Sequence, residues 1–532
     1  MSKTTSTGKA APSLRIGIWF GFPFEIQTKR EGIGRYTVSL AKALMENFNS
    51  EVELWCYEIN KSNFESLFEP IIKDKSISHL LRIHTEASSL NQCQLDIETS
   101  WLRDFIRSKD VIHRDQLLEV CCNTLSKADC FLVPIVSLTN AINLIHPVVI
   151  ALHDLVTVEF KHLFAEEEGY DEQSTKSVLL FAQQIAADGA FFCSNSNYVR
   201  NNHALKYIDG LRSERTDYIH LPVIPPPIHQ DVALPSKEVL EYKYGLPKRY
   251  FFYPTQIRPY KNLEALIRLL DRIRFSDPDL KLVITGKPNK RASALSKILA
   301  LDDQIVLTGD VSEIELYALH KYAEFSIAPS YFEGGIPWQA LEAIQMETPA
   351  LIARTPGAIE RLESIGIDPN DCTDFVFDPD NIDQLTGLYR NLQANRTTII
   401  EQQKRIQKLL TQYTWSDVAN RYYNIFSTRT ITRKRSVAAF LETNSAIKAS
   451  LQQKPPLTDT RIQPQNKYVA ALKKLPIVSP ILLYTWRLLK APQTLASIWQ
   501  MSMETKNSVA DLKILLTNQR TAANKNSEIN KL

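Results

Sequence analysis

Short apolar runs recur along the chain up to about residue 430, and helical patterns lie between several of them. Runs rich in β-branched and aromatic residues are typical of buried strands, whereas apolar positions three and four residues apart are typical of amphipathic helices. Strands that alternate with helices predict parallel sheets with right-handed crossovers. Residues 60–129 have a mostly helical and polar pattern. The predicted strands are residues 14–21, 52–57, 130–135, 148–152, 189–193, 218–224, 250–253, 281–286, 304–309, 323–329, 350–354 and 374–377.

A proline-rich stretch divides this α/β pattern into two comparable halves. Its sequence, LPVIPPPIHQ, has a restricted backbone and is typical of a semi-rigid spacer. A chain of 532 residues exceeds one hydrophobic core, so two domains and an extension are expected. We predict a disordered N-terminus at 1–13, domains at 14–225 and 226–427, a last domain helix at about 414–426 with Ser416 as N-cap, and a basic, helical and partly disordered extension at 428–532.

Composition and charge exclude several classes of protein. Hydrophobic residues make up 44% and charged residues 23%, which is ordinary for a soluble protein, and the net charge of +3 is too small to suggest nucleic-acid binding. The seven cysteines form no C-x-x-C pair, which argues against a disulfide framework or a zinc site. Residues 1–13 lack the apolar centre of a signal peptide, and no run of about 18 apolar residues is present. We expect a reducing, cytoplasmic setting.

The segment SYFEGGIPWQALEAIQMETP follows a predicted strand and opens a predicted helix. Gly334 and Gly335 let the backbone approach a ligand, and Pro337 suits the first helical position. The free N–H groups and the dipole of a helix start favour an anion such as a phosphate. Glu333 and Glu342 flank the turn, and their carboxylates can accept hydrogen bonds from ribose or sugar hydroxyls. The alternative is a surface loop with ordinary helical glutamates.

Further strand ends carry candidate chemistry. EGIGRYT places Gly34 at a helix start after the first strand, and VVIALHDL places His153 at a strand end, where open α/β sheets bind ligands. PTQIRPYKN places Arg258 and Lys261 before a helix, where two cations can neutralise a diphosphate, and Asn262 is placed to cap that helix. The alternatives are tight helix packing, a structural histidine and solvated loop charges.

After residue 430 the chain becomes polar and broken, and then basic. Residues 461–503 contain no acidic residue, and Leu, Ile, Trp and Tyr fill much of the segment. This composition is typical of an amphipathic segment at an anionic membrane surface. An apolar helix that packs on the rest of the protein or on a partner chain is the alternative. The basic residues of this segment are Arg461, Lys467, Lys473, Lys474, Arg487 and Lys490.

Five of these segments, in this order and at similar distances, resemble the retaining glycosyltransferases of family 4, which have the GT-B architecture. GIGRYT resembles the Gly-rich first loop of the family, and VVIALHDL resembles its strand ending in His-Asp. FFCSNSNYVR resembles the strand and Ser-rich turn that close its N-terminal domain, and YPTQIRPYKNLEALI its lysine–asparagine motif. The stretch from IVLTG to TPALI resembles its donor-binding core. The resemblance covers about residues 14–426.

The resemblance implies two Rossmann-like domains that face each other across a cleft, with a nucleotide-sugar on the C-terminal domain. It also implies that the helix around Trp415 crosses back to the N-terminal domain. In this scheme Lys261 and Arg258 hold the diphosphate. Glu333, Gly334 and Gly335 lie by the donor sugar, Glu342 binds the ribose, and Gly34 and His153 come from the facing domain. Gly286 and Gly309, at strand ends, complete the predicted donor-binding set.

Two positions depart from the family pattern. Glu333 and Glu342 are separated by eight residues, one more than is usual in the family. Gln256 stands where many members have an arginine before the lysine, so Arg258 is only a partial substitute.

We therefore expect a metal-independent, cytoplasmic hexosyltransferase. It would transfer a sugar, with retention of configuration, from a nucleotide-diphosphate-sugar to a glycan or lipid-linked acceptor in cell-surface polysaccharide synthesis, such as that of O-antigen. No cofactor, metal or nucleic acid is expected, because cations and helix-start amides can stabilise the departing diphosphate. Residues 461–503 would dock the protein on the inner membrane surface or on a partner. The alternatives are a nucleotide-sugar epimerase of the same architecture and a catalytically silent GT-B scaffold.

Overall fold

The computed structural model describes residues 14–26, 32–93, 117–165, 167, 170–223, 233–430 and 433. The predicted disordered N-terminus and the basic segment 461–503 lie outside these residues. Within the described part of the chain, the strands form two separate parallel sheets, each with its own hydrophobic core. This arrangement confirms the predicted α/β class and its division into two halves.

The first sheet has seven parallel strands in the order β3-β2-β1-β4-β5-β6-β7. Every residue of its central strands β4 and β5 is buried, as expected for a parallel sheet that helices cover on both faces. The strand order reverses between β1 and β4. The strands are β1 Arg15–Phe20, β2 Glu51–Cys56, β3 Leu81–His84, β4 Cys130–Val133, β5 Val148–Leu152, β6 Phe191–Ser194 and β7 Thr216–Tyr218.

The second sheet has six parallel strands in the order β10-β9-β8-β11-β12-β13. Its order reverses between β8 and β11, and this order is typical of doubly wound, nucleotide-binding sheets. The strands are β8 Arg249–Tyr253, β9 Leu280–Ile284, β10 Ile305–Leu307, β11 Phe325–Ala328, β12 Ala350–Ala353 and β13 Val376–Phe377.

Helices connect the strands of both sheets. Among the described residues, no helix has the length and apolar character needed to cross a bilayer. The helices of the first half are α1 Gly32–Phe48, α2 Lys61–Leu67, α3 Glu69–Ile72, α4 Glu86–Cys93, α5 Leu117–Leu125, α6 Val156–Glu159, α7 Lys161–Phe164, α8 Glu172–Ala187 and α9 Leu205–Tyr207, with a π-helix at Val199–Ala204. Those of the second half are α10 Lys237–Tyr244, α11 Leu263–Ile273, α12 Lys290–Ile298, α13 Glu313–Tyr322, α14 Trp338–Gln345, α15 Pro356–Ser364, α16 Ile382–Leu410 and α17 Trp415–Thr428.

The last of these helices, α17, packs on α1 of the first half. Tyr36 and Tyr422 share a hydrogen bond of 2.6 Å between their hydroxyl groups, and the rings of Phe48 and Tyr423 stack with centroids 4.1 Å apart. The chain therefore returns to the N-terminal domain after it has built the second sheet. The predicted N-cap, Ser416, was wrong by two residues. Thr414 caps the helix in a reciprocal pair with Asp417, and Ser416 lies inside the first turn.

One strand prediction in the first half was wrong. The run at 218–224 forms a strand only at its first residue, because β7 spans Thr216–Tyr218. Pro222 has no N–H to donate to a sheet ladder, so it disfavours the continuation. The span predicted as mostly helical and polar also contains the edge strand β3, in which Arg82 is exposed and the other three residues are partly buried. Its sequence, LRIH, is too short and too polar to show a buried-strand pattern.

Candidate active site

Lys261 and Glu333 lie together beyond the carboxyl ends of two inner strands of the second sheet. Lys261 follows β8 and Glu333 follows β11, and these strands are neighbours where the strand order reverses. The carboxyl ends of strands at such a point form a crevice that binds ligands. Lys261 Nζ donates to Glu333 Oε1 at 2.7 Å. The structure thus joins two residues that the sequence places 72 positions apart.

Neighbouring polar and aromatic groups hold this ion pair in place. The Ser330 hydroxyl also donates to Glu333 Oε1, at 2.7 Å, and the Tyr260 ring centroid lies 5.1 Å from Lys261 Nζ. The two charged side chains are only 14% and 16% exposed. Burial lowers the pKa of Lys261, but the Glu333 carboxylate outweighs this effect and holds the pKa above its usual value. The ammonium group is therefore charged at neutral pH, as a phosphate-binding group must be.

Asn262 fixes the turn that carries Lys261. Its backbone is in the left-handed region, with φ of 53°, which asparagine tolerates better than most residues. The predicted side-chain cap of the following helix is absent. Instead, Nδ2 donates to the carbonyl oxygens of Pro329, at 3.2 Å, and Pro379, at 3.1 Å. Asn262 therefore links the loop after β8 to the loop after β11.

The Gly334–Gly335 turn is packed from two sides. A Cβ atom on Gly334 would lie 2.7 Å from Asn195 Cγ, which belongs to the Ser-rich turn after β6 in the first domain. A Cβ atom on Gly357 would collide with the Glu333 carbonyl oxygen and lie 2.9 Å from the Gly335 nitrogen. Sequence reasoning missed both Asn195 and Gly357. The available signal for Gly357 was its place in TPG, where β12 gives way to helix α15.

Glu342 lies inside helix α14, with a side chain that is only 7% exposed. Its Oε1 accepts a hydrogen bond of 2.8 Å from Arg35 Nη1, and its Oε2 lies 3.8 Å from His320 Nε2. Burial raises the pKa of Glu342, but the nearby His320 ring and the charge of Arg35 lower it below its usual value overall. Glu342 is thus a buried, ionised carboxylate.

Helix α14 itself begins one residue later than predicted, because Pro337 is the N-cap rather than the first helical residue.

Arg35 comes from the first domain and was not among the predicted residues. It follows Gly34, which lies buried in the first turn of α1. The Arg35 guanidinium stacks over Trp338 with its carbon 4.9 Å from the ring centroid, and a Cβ atom on Gly32 would lie 3.0 Å from the same indole. The Gly-rich helix start therefore packs on α14 of the other domain.

His153 lies at the end of β5 and is partly buried. Its Nε2 is 3.2 Å from the Pro134 carbonyl oxygen, and its ring meets that of Tyr36 edge to face with centroids 4.9 Å apart. Burial lowers the pKa of His153, so the neutral ring is favoured. In that form Nε2 carries the proton that Pro134 accepts, which leaves Nδ1 as a hydrogen-bond acceptor.

Three predicted residues stand apart from the ion pair. Arg258 is exposed, and its guanidinium lies 3.5 Å from the Gln256 side-chain oxygen, not beside Glu333. Gly286 packs beneath the same loop, because a Cβ atom there would lie 2.8 Å from the Ile257 nitrogen. Gly309 has φ of 68° after the edge strand β10, with no heavy atom within 4 Å of a Cβ position. Gly286 thus supports the loop, and no contact links Gly309 to the cluster within the described residues.

Two further contacts hold the domains against each other. Glu360, on α15, accepts backbone N–H hydrogen bonds from Asn197, at 2.6 Å, and Tyr198, at 2.7 Å. Phe332, next to Glu333, is 4% exposed and stacks on His203 of the first domain with centroids 5.0 Å apart. The loop that carries Glu333 is therefore anchored across the domain boundary. No cluster of three or more metal-ligating side chains occurs among the residues that the structure describes.

Two Rossmann-like domains with the candidate site at their contact define the GT-B fold. The chain is similar to the sucrose-phosphate synthase of Thermosynechococcus elongatus, with a TM-score of 0.50 and 14% identity over 78% of this chain and 98% of that one. This likeness confirms the predicted fold.

Within this fold, residues 239–409 match the family model described as glycosyl transferases group 1. That match contains Lys261, Glu333 and Glu342. A second similarity is to the MMP alpha-(1->4)-mannosyltransferase of Mycolicibacterium hassiacum, at 32% identity over 136 residues. This alignment spans 25% of the chain and 31% of the relative.

Proposed function

We propose that this protein is a metal-independent, retaining hexosyltransferase that uses a nucleotide-diphosphate-sugar. The observation that carries the proposal is the Lys261–Glu333 ion pair, which lies beside the Gly334 turn at the point where the strand order reverses. The match of residues 239–409 to group 1 glycosyl transferases supports it, as does the local similarity to a mannosyltransferase.

In this proposal the diphosphate replaces Glu333 as the ion-pair partner of Lys261. The ammonium and the free N–H groups before α14 stabilise the negative charge that develops on the leaving diphosphate. Preorganised electrostatic groups of this kind are usually the largest contribution to catalysis. Glu333, released from Lys261, accepts hydrogen bonds from hydroxyls of the donor sugar, and Glu342 does the same for the ribose. Arg258 is exposed and contributes only a weaker, screened charge.

Retention follows if the acceptor attacks from the face that the diphosphate leaves. The bond between the anomeric carbon and the phosphate oxygen breaks, and its electron pair stays on that oxygen. A bond forms between the anomeric carbon and the acceptor oxygen, whose proton passes to the departing phosphate. No protein base is required, and His153 orients the sugar through Nδ1. The charge of Lys261 and the helix-start amides replace a metal.

The acceptor in this proposal is a glycan or a lipid-linked glycan of a cell-surface polysaccharide such as O-antigen. The basic, aromatic composition of residues 461–503 supports peripheral binding at the cytoplasmic membrane surface, where lipid-linked acceptors lie. Family 4 is the assignment that the ordered motifs support.

The experiment is a thermal-shift screen of the full-length protein with UDP-, GDP- and ADP-sugars, each with and without EDTA. A ligand that binds only the folded state raises the melting temperature. At one hundred times its Kd it raises the free energy of unfolding by about 2.7 kcal/mol. We expect one nucleotide class to bind, with no loss on adding EDTA, and NMR of the product to show the donor's anomeric configuration. A protein that binds none of them would contradict the proposal, and a changed sugar with no acceptor product would indicate an epimerase.

A further inference from the structure

The carboxylate proposed to bind ribose is already occupied by an arginine from the other domain. Glu342 Oε1 accepts from Arg35 Nη1 at 2.8 Å, and Oε2 lies 3.8 Å from His320 Nε2. With 7% of the side chain exposed, both oxygens face protein groups. A ribose that presents two neighbouring hydroxyls needs one of these groups to leave.

The surroundings decide which group leaves. His320 is fully buried, its Nδ1 lies 2.8 Å from the Ser326 hydroxyl, and its ring meets Phe252 edge to face. It therefore has no room to withdraw. Arg35 is 25% exposed, and apart from Glu342 its described contact is the Trp338 ring. An arginine that moves from such a position into water keeps its charge solvated.

We propose that Arg35 is a latch between the two domains, which the ribose of the nucleotide-sugar releases by taking its place on Glu342. This inference rests on the proposed function. Without a nucleotide, Arg35 holds α1 against α14 and keeps the buried carboxylate neutralised. When ribose hydroxyls bind Glu342, the ion pair breaks and the start of α1 is free to move. His320 remains as the neighbour that keeps the carboxylate in place.

A competing latch weakens ribose binding, so its removal strengthens binding. Arg35→Gln keeps most of the side-chain length but loses the charge. Because a partly exposed ion pair contributes up to about 1 kcal/mol, we expect the Kd for a ribonucleotide to fall about fivefold. The matched control is Lys42→Gln on the same helix, which removes a half-exposed lysine that pairs with Glu46 at 3.7 Å. This control is expected to leave the Kd unchanged.

The test uses calorimetry on the full-length protein at constant ionic strength, with whichever of UDP, GDP and ADP binds best. The 2′,3′-dideoxy form of the same nucleotide serves as second ligand. It lacks the hydroxyls that compete with Arg35, so Arg35→Gln should not improve its binding. Equal or weaker ribonucleotide binding by Arg35→Gln would overturn the latch, as would an equal gain with the dideoxy form.

Two further measurements separate the remaining outcomes. Circular dichroism shows whether Arg35→Gln folds, and Arg35→Lys, which keeps the charge but lacks the planar fork, should give an intermediate Kd. If Arg35→Gln does not fold, a Kd for Arg35→Lys no lower than that of the wild type overturns the latch. If neither wild type nor variant binds any of the three nucleotides, the proposed function fails and the latch with it. If both bind equally, only the latch fails.

Discussion

The Lys261 ammonium and the Glu333 carboxylate lie 2.7 Å apart, each in the segment that follows one of two neighbouring parallel strands. Each group neutralises the other in the absence of a ligand, so a diphosphate must replace a carboxylate that is already in contact with the lysine. A dianionic or trianionic phosphate carries more charge than one carboxylate, which favours the exchange. The pair therefore keeps both side chains in position for a ligand that will separate them.

The first prediction concerns this lysine. Lys261→Gln should weaken binding of the preferred nucleoside diphosphate about 100-fold, because a buried, charge-assisted contact is lost. Arg258→Gln, at an exposed loop position, should weaken it by about threefold or less, because solvent and salt screen its charge. Calorimetry at two salt concentrations measures both. Equal losses in the two variants would contradict the placement of the diphosphate beside Lys261.

The second prediction concerns Gly357, which packs against the Gly334–Gly335 turn. Gly357→Ala places a methyl group against the Glu333 carbonyl oxygen, so the turn must move. We expect the free energy of unfolding to fall by about 1–3 kcal/mol and transfer activity to fall about 10- to 100-fold. Gly387→Ala is the matched control, because its Cβ position is open and it lies within helix α16. Alanine should stabilise that helix by about 0.5–1 kcal/mol.

The third prediction concerns Glu360, which receives two backbone N–H groups from the other domain. Glu360→Gln leaves one amide oxygen to accept and turns an NH₂ group toward the second N–H. Because these donors are only partly buried, the cost should lie at the low end of the range of about 1–3 kcal/mol for a buried donor without a partner, so the melting temperature should fall and amide exchange at Asn197 and Tyr198 should rise. Glu363→Gln, an exposed position on the same helix, is the control. Unchanged exchange at both amides would contradict the role of Glu360 as an interdomain contact.

The fourth prediction concerns Arg433, the last residue that the structure describes. Arg433 is fully buried, donates to the carbonyl oxygens of Ala141, Ile142 and Leu144, and lies 3.3 Å from Asp188. Burial lowers its pKa to about 10, although Asp188 opposes the change. A chain cut after residue 430 loses this buried guanidinium together with its hydrogen bonds to three carbonyl oxygens and its ion pair with Asp188, so its melting temperature should fall.

A chain cut after residue 436 keeps Arg433 and should unfold at the temperature of the full chain. It should also keep nucleotide binding but lose flotation with anionic liposomes, if residues 461–503 bind membranes as proposed. Equal flotation of the cut and full-length proteins would rule out that role, and equal melting temperatures for the two cuts would show that Arg433 does not anchor the chain.

Local patterns predicted the strand ends that the second domain contributes to the candidate site. The alternation of strands and helices fixes a parallel sheet, and glycines or prolines after β8 and β11 mark the ends where ligand groups collect. The positions of Lys261, Glu333 and the Gly turn after these strands could therefore be predicted from the sequence. Arg35, Asn195 and Glu360 could not, because each acts on the opposite domain. Their neighbours in the sequence carry no sign of a partner more than 100 positions away.

Most of the strands and helices, the two-domain division and the side chains that follow strand ends could be predicted without coordinates, because they depend on hydrophobic periodicity and on backbone chemistry within a few residues. The contacts of each charged group could not. The partner of Glu342 is Arg35, and Arg258 is exposed beside Gln256. Ion pairs depend on distances of a few ångströms between distant segments, and those distances are set by how the two domains pack.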